Sequence, residues 1–170
     1  HPYLYYRFID DVFFIWIGTE KELMEYQTFL NSLIPGINIT FSWSRVESNF
    51  LDTVVYKSFD GVNHKLATKI YFKPTDTHQL LHKQSFHPRH TCRGVLKSQF
   101  IRFKRLCSTK QDYDSACSIL IKALATRQYS RRLMRRMRLE IWRSDFTNTR
   151  ANLHTSVDIL PVIIPYNDVG

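Results

Sequence analysis

Two short runs of aromatic and β-branched residues open the chain, Tyr3 to Phe8 and Val12 to Ile17, separated by Ile9-Asp10-Asp11. This pattern predicts two strands in a tight hairpin with two acids at its tip. Gly18 ends the second run, and Thr19-x-x-Glu22 has the form of a capping box, in which hydroxyl and carboxylate satisfy the first free N–H groups of a helix. Leu23, Tyr26, Leu30 and Leu33 then recur at helical spacing until Pro35-Gly36, which predicts a helix over 19–34. Three further strand-like runs follow, Ile37 to Trp43, Phe50 to Tyr56 and Leu66 to Phe72, with Asp60-Gly61 as a turn between the last two. The first 72 residues therefore read ββαβββ, one helix packed on one antiparallel sheet.

After Lys73-Pro74 the pattern changes. Residues 75–92 are polar and rich in histidine, with Pro88 inside, and predict a loop with one short helical turn. Three helices are expected next. Leu96, Phe100, Phe103 and Cys107 share a face of the first; Cys117, Leu120, Ile121 and Leu124 a face of the second; Met134, Met137 and Ile141 a face of the third. Ser108-x-x-Gln111 has the spacing of a cap for the second. Trp43 and Trp142 are expected in the core. Beyond Trp142, Ile159 to Ile164 between prolines reads as an edge strand or a linker. The fold class is α+β: a sheet with one packed helix, then a three-helix subdomain. The expected division is 1–76, 77–143 and a C-terminal linker over 144–170.

Charge sharpens this division. The 170 residues carry a formal net charge of +9. Residues 1–92 hold nine Lys/Arg and nine Asp/Glu, whereas residues 93–143 hold fourteen against three. Positive charge concentrated in one segment points to a polyanionic partner. Arg131, Arg135 and Arg138 form one stripe on the third helix, and Arg132, Arg136 and Arg143 a second; Lys97, Lys104, Arg102 and Arg105 stand on the first. Guanidinium groups suit phosphate oxygens. Solvated, charge-rich helix faces are also common, yet seven Arg between 127 and 143 oppose only Glu140. That self-repulsion favours a nucleic acid as counter-charge. Three cysteines with no C-x-x-C pair argue against a disulfide framework and fit a reducing interior, nuclear or cytoplasmic. No apolar run approaches the ~18 residues of a membrane span, and no signal peptide opens the chain; no membrane partner is expected.

Two constellations carry candidate chemistry. Adjacent carboxylates at a hairpin tip repel one another unless a cation intervenes, and a hard divalent ion with oxygen ligands relieves that cost; the same dipeptide also suits a plain solvated turn. His78, His82, His87, His90 and Cys92 supply enough ligands for zinc, although their spacing matches no standard zinc module. The plainer reading is that they cap the first basic helix or contact phosphate.

The segment Arg7-Phe8-Ile9-Asp10-Asp11-Val12-Phe13 resembles motif C of reverse transcriptases, the aromatic-x-Asp-Asp hairpin, with Phe8 where retroviral enzymes have tyrosine. Phe50-Leu51-Asp52 before Val54-Val55-Tyr56-Lys57, then Thr68-Lys69-Ile70-Tyr71-Phe72-Lys73-Pro74-Thr75-Asp76-Thr77-His78-Gln79, is similar to the polymerases of Penelope-like retroelements. Ser85-Phe86-His87-Pro88-x-His90, Gly94, and Gln99-x-x-Arg102-x-x-Arg105-x-Cys107-Ser108 continue the likeness, which spans roughly residues 3–143.

That resemblance implies an RNA-directed DNA polymerase in which Asp10 and Asp11 are catalytic metal ligands for two Mg²⁺ (or Mn²⁺) ions. It implies a motif D helix at 19–34, a primer grip at Phe50, Leu51 and Asp52, and a thumb from 93 onward, making the sheet a palm. The expected nucleic-acid contacts are Lys73, His78, His87, His90, Lys97, Arg102, Arg105, Arg131, Arg132, Arg135, Arg136 and Arg138. The partners would be an RNA template, a DNA primer and, in the parent enzyme, deoxynucleoside triphosphates. A third carboxylate, from motif A, and the fingers belong upstream, so the chain is expected to be inactive by itself; a GIY-YIG endonuclease commonly follows, and Pro161 to Asn167 is a weak candidate for its run-up. The alternative is non-catalytic: residues 78–143 as a helix-turn-helix-like DNA-binding module, which leaves the Asp-Asp hairpin unexplained.

Overall fold

The computed structural model describes residues 2–33, 35–78 and 80–144. Leu4–Phe8 (β1) and Asp11–Ile15 (β2) pair antiparallel from Leu4↔Ile15 to Phe8↔Asp11, so the turn between them is Ile9-Asp10. Helix α1, Glu20–Leu33, starts where the capping box predicts. The Thr19 N–H donates to Glu22 Oε2 at 2.7 Å, and the Glu22 N–H donates back to Thr19 Oγ1 at 3.3 Å. The Thr19 N–H and the Thr19 hydroxyl, which also donates to Glu22 Oε2 at 2.9 Å, hold the Glu22 carboxyl below its ordinary range.

A single sheet does not form. Glu47–Phe50 (β3), Thr53–Phe59 (β4) and His64–Ile70 (β5) make a second antiparallel sheet, in that order, separate from the β1–β2 hairpin. The expected strand from Ile37 to Trp43 is irregular. Amide side chains of α1 hold its backbone instead: Gln27 Nε2 and Asn31 Nδ2 donate to the Ile39 carbonyl at 3.0 Å, and the Ile39 N–H donates to Asn31 Oδ1 at 2.7 Å. Alternation supplies a strand pattern, but a strand also needs a neighbouring ladder. The expected strand over Phe50 to Tyr56 is broken by a tight turn at Leu51-Asp52, and β5 lies two residues earlier than Leu66 to Phe72. The Asp60-Gly61 turn forms as expected, with Gly61 at φ 95°.

Rings tie the hairpin to its surroundings. Phe13 meets Phe50 at 5.6 Å between centroids, Phe14 meets Phe41 at 5.0 Å, and Trp16 stacks on Tyr26 at 5.3 Å. All six are half-buried, whereas Trp43 is exposed rather than in the core.

Three helices complete the described chain: α2, Arg89–Leu106, α3, Lys110–Thr126, and α4, Arg131–Arg143. Helix α2 starts inside the segment read as loop, directly after Pro88. The expected apolar faces are all buried and merge into one cluster with Tyr113, Ala116 and Tyr129. Trp142 packs at its edge, 5.0 Å from the Tyr113 ring. The cap of α3 is Thr109, one residue after Ser108; Thr109 Oγ1 accepts from the Asp112 N–H at 3.1 Å. Ser108 bonds elsewhere: its N–H donates to the Thr68 carbonyl at 2.8 Å, and its Oγ accepts from the Thr68 N–H at 2.8 Å. The α2–α3 corner thus satisfies backbone groups on the open edge of β5, which would otherwise be free to pair with another chain. Tyr56 Oη on β4 donates to Asp112 Oδ2 at 2.6 Å, binding the sheet to the start of α3 and raising the Tyr56 pKa. Residues 145–170, including the apolar run Ile159 to Ile164 and Pro161 to Asn167, lie outside the described residues.

Candidate nucleic-acid interface

The acidic hairpin is built on strain. Ile9 adopts φ 54°, a left-handed conformation that costs a β-branched residue about 1–2 kcal/mol. Flanking strand pairs hold it there, and Arg7 Nε donates to the Ile9 carbonyl at 2.8 Å. Asp10 consequently sits at the tip and Asp11 at the first position of β2, both exposed. Among the described residues no hydrogen bond or ion pair engages either carboxylate, and no three His, Cys, Asp or Glu side chains converge as metal ligands. Two oxygen-donor groups are therefore available at the rim of a two-stranded sheet whose β1 edge has no strand neighbour among those residues.

The second hairpin repeats this geometry. Phe50 pairs with Thr53, so its turn is Leu51-Asp52, and Leu51 also lies at φ 54°. Both turns read Phe-aliphatic-Asp, Phe8-Ile9-Asp10 and Phe50-Leu51-Asp52. They differ in what holds the aspartate. Asp52 pairs with Arg102 of α2, and its carbonyl accepts from the Tyr71 N–H at 2.9 Å. Phe50 is half-buried on Phe13 and Leu51 is exposed.

The histidines do not gather. His78 lies edge-on to Phe72 at 4.7 Å, with Nδ1 3.2 Å from Asp76 Oδ2. His82 Nδ1 accepts from the Gln84 N–H at 3.2 Å, so it serves its own loop. His87 Nδ1 is 3.1 Å from Ser85 Oγ, and His90 is exposed in the first turn of α2. Cys92 is buried beside Tyr129 in the core. Burial of that cysteine and local bonding of the histidines remove the shared geometry a zinc site requires.

The basic side chains fall into two groups. Some are used inside the fold. Arg102 holds the Asp52 turn; Lys104 Nζ donates to the Ile141 carbonyl at 3.1 Å and to that of Ser144, closing the C-terminus of α4. Arg138 is mostly covered, with Nε 3.6 Å from Asp114 Oδ1. Others face solvent: Lys73, Arg93, Lys97 and Arg105, then Arg131, Arg132, Arg135, Arg136 and Arg143 along α4. Arg136 makes an exposed i,i+4 pair with Glu140 at 3.3 Å, a contact worth only about 0.3–0.5 kcal/mol. Helix α4 thus buries Met134, Met137 and Ile141 on one side and presents arginines on the other. Arg93 was not singled out from sequence, although its position one helical turn before Lys97 was the available signal.

The short connections 107–109 and 127–130 position these helices. Helix α3 ends in a Schellman arrangement: the Tyr129 N–H donates to the Leu124 carbonyl at 3.2 Å and the Gln128 N–H to the Ala125 carbonyl at 3.3 Å, with Gln128 at φ 65°. Tyr129 Oη then donates to the Leu81 carbonyl at 2.8 Å, fixing the approach to α2 against the α3–α4 turn. No helix among the described residues is long and apolar enough to cross a membrane.

No curated protein and no solved structure matches the chain. Residues 79–138, which contain α2, α3 and the first two turns of α4, match the family model described as an animal helix-turn-helix domain.

Proposed function

We propose that this chain binds nucleic acid through α2–α4, a helix-turn-helix-type module whose exposed arginines neutralise backbone phosphates. The observation that carries the reading is α4, whose inward face is apolar and buried while Arg131, Arg132, Arg135 and Arg136 stand outward. Its sequence, RRLMRRMRLEIWR, holds no Asn, Gln, Ser or Thr, the neutral side chains that commonly read base edges. Arginine reaches phosphates and, in the major groove, guanine edges, so the sequence dependence of binding separates a backbone grip from base readout. The test is binding of the 170-residue chain to labelled duplexes of unrelated sequence across a salt series. Affinity should fall steeply with salt and vary little with sequence. Replacing Arg131, Arg132 and Arg135 together by Ala should lower the log–log salt slope by roughly 3. No binding at low salt overturns the reading, and a strong preference for one sequence turns it into major-groove recognition.

The acidic hairpin favours a second, finer reading: that the module is the thumb of an RNA-directed DNA polymerase of the Penelope-like type, holding an RNA template and DNA primer. Its support is the pair of unengaged carboxylates at a strained tip. Asp10 and Asp11 offer the hard oxygen donors that Mg²⁺ or Mn²⁺ takes, and a complete site needs a further ligand from another segment. When bound, such an ion supplies activation of a 3′-hydroxyl and neutralisation of phosphate charge. In this reading the hairpin orients the two carboxylates, and the Phe50-Leu51-Asp52 turn, tied to α2 through Arg102, keeps the basic helices in fixed relation to the sheet. Paramagnetic relaxation by Mn²⁺ should broaden resonances around Asp10 in the wild type and not in Asp10→Asn/Asp11→Asn. Equal broadening in both removes this reading and leaves the first untouched.

A further inference from the structure

The solvent face of α2 contains a glycine that nothing among the described residues requires. Gly94 lies within an eighteen-residue helix and is exposed. A Cβ built on it meets nothing within 4 Å among the described residues, and it is absent from the positive-φ glycines. Alanine would fit there without strain and would favour the helix, because glycine loses more backbone freedom on folding. The glycine therefore weakens α2 with no return in packing or backbone geometry.

Its neighbours suggest what the open space admits. His90, Arg93 and Lys97 lie with Gly94 within roughly 100° of arc on a 3.6-residue helix, all exposed. Among the described residues no carboxylate pairs with Arg93 or Lys97. Further along the helix, Arg102 is occupied by Asp52 and Lys104 by the end of α4, and Arg105 is exposed; Arg93 and Lys97 flank the glycine. No large hydrophobic side chain is exposed on α2, and the exposed Phe86 lies before the helix, so the helix face itself gives a docking peptide no apolar anchor. A polyanion with a narrow, sterically exposed backbone suits the face better.

We propose that Gly94 is the point of closest approach between this protein and a nucleic-acid strand, whose sugar–phosphate backbone lies directly against the α2 main chain between Arg93 and Lys97. The inference rests on the nucleic-acid reading above and assigns it a contact point on α2 in addition to the arginines of α4. Without a Cβ, the strand comes a bond length closer, bringing adjacent phosphates within reach of the guanidinium and the ammonium. Alanine or leucine would hold the strand off while leaving the charge unchanged.

The experiment opposes stability to binding. Gly94→Ala, Gly94→Leu and wild type are compared in thermal melts and in titrations with a short RNA–DNA hybrid duplex. Gly94→Ala should raise Tm by about 2–4 °C and raise Kd about five-fold or more, with an unchanged salt slope; Gly94→Leu should raise Kd further. A higher Tm with unchanged Kd overturns the contact while the nucleic-acid reading stands. A lower Tm in Gly94→Ala assigns the glycine to the fold and also overturns it. If wild type binds no duplex at low salt, the function reading falls and takes the contact with it. Loss of the Gly94 effect when Arg131, Arg132 and Arg135 are Ala would show one continuous surface and support the proposal.

Discussion

The two halves of this molecule are stabilised in different ways. From Cys92 to Ile141, fifteen buried apolar side chains form one cluster, with Phe100, Tyr113, Leu124 and Met134 fully enclosed. Among the described residues before 80, only Leu23, Val54 and Ala67 are buried to that degree, while Tyr3, Ile9 and Ile17 are each more than 70% exposed. The helical half supplies every fully buried side chain of this core, with Ile70 and Phe72 from the strand half packed against its edge. The hairpin half relies on ladders, half-buried rings and hydrogen bonds to the helices through Thr68, Ser108, Tyr56 and Asp112. Burial, the main favourable term in folding, is thus concentrated in the basic helices, whereas the unengaged acids sit on a lightly anchored hairpin.

The largest test of this contrast is a pair of truncations. Phe100→Ala should cost about 3–5 kcal/mol in urea unfolding, since it empties a closed core. Phe13→Ala should cost about 1–2 kcal/mol, because its half-buried ring meets Phe50 at a surface that water already reaches. Equal costs would mean that the hairpin shares the helical core.

Alkaline unfolding sharpens the comparison. Burial pushes the Cys117 thiol from 9.0 up to about 12, and burial beside Cys92 pushes the Tyr129 hydroxyl from 10.0 to about 12. Both folded pKa values are raised, so the stability they contribute is complete below the unfolded values and is lost as pH climbs through about 9–12. For Cys117 alone the loss by pH ~10.5 is on the order of 2 kcal/mol. Helical circular dichroism should therefore fall in that window, and Cys117→Ala should flatten part of the decline relative to its own value at pH ~7. An identical profile in the variant would dissociate the thiol from alkaline unfolding.

Smallest are two glycine substitutions, one in each half. Ile9→Gly should stabilise the hairpin by about 1 kcal/mol by removing left-handed strain. Gln128→Gly should stabilise the α3–α4 turn by about 0.5–1 kcal/mol, since glycine suits the left-handed position of a Schellman motif. Local hydrogen exchange should show each gain near its own site; spread of the Ile9→Gly gain into α3 would join the two halves thermodynamically.

Periodicity alone marked the three helices after Pro88 and their buried faces, because an apolar stripe at 3.6-residue spacing has one stable use, against other stripes. It also marked the first hairpin and the capping box, whose bonds are local. The sequence did not decide how strands would associate. Ile37 to Trp43 has strand alternation and no ladder, because Asn31 and Gln27 of α1 capture its backbone at Ile39. Nor did it decide which cations are free. Arg102, Lys104 and Arg138 look like their neighbours in the chain, and only packing brings them to Asp52, the end of α4 and Asp114. Local pattern determines an element and the face it buries. The availability of a charge depends on partners dozens of residues away, and these are chosen only when the tertiary structure closes.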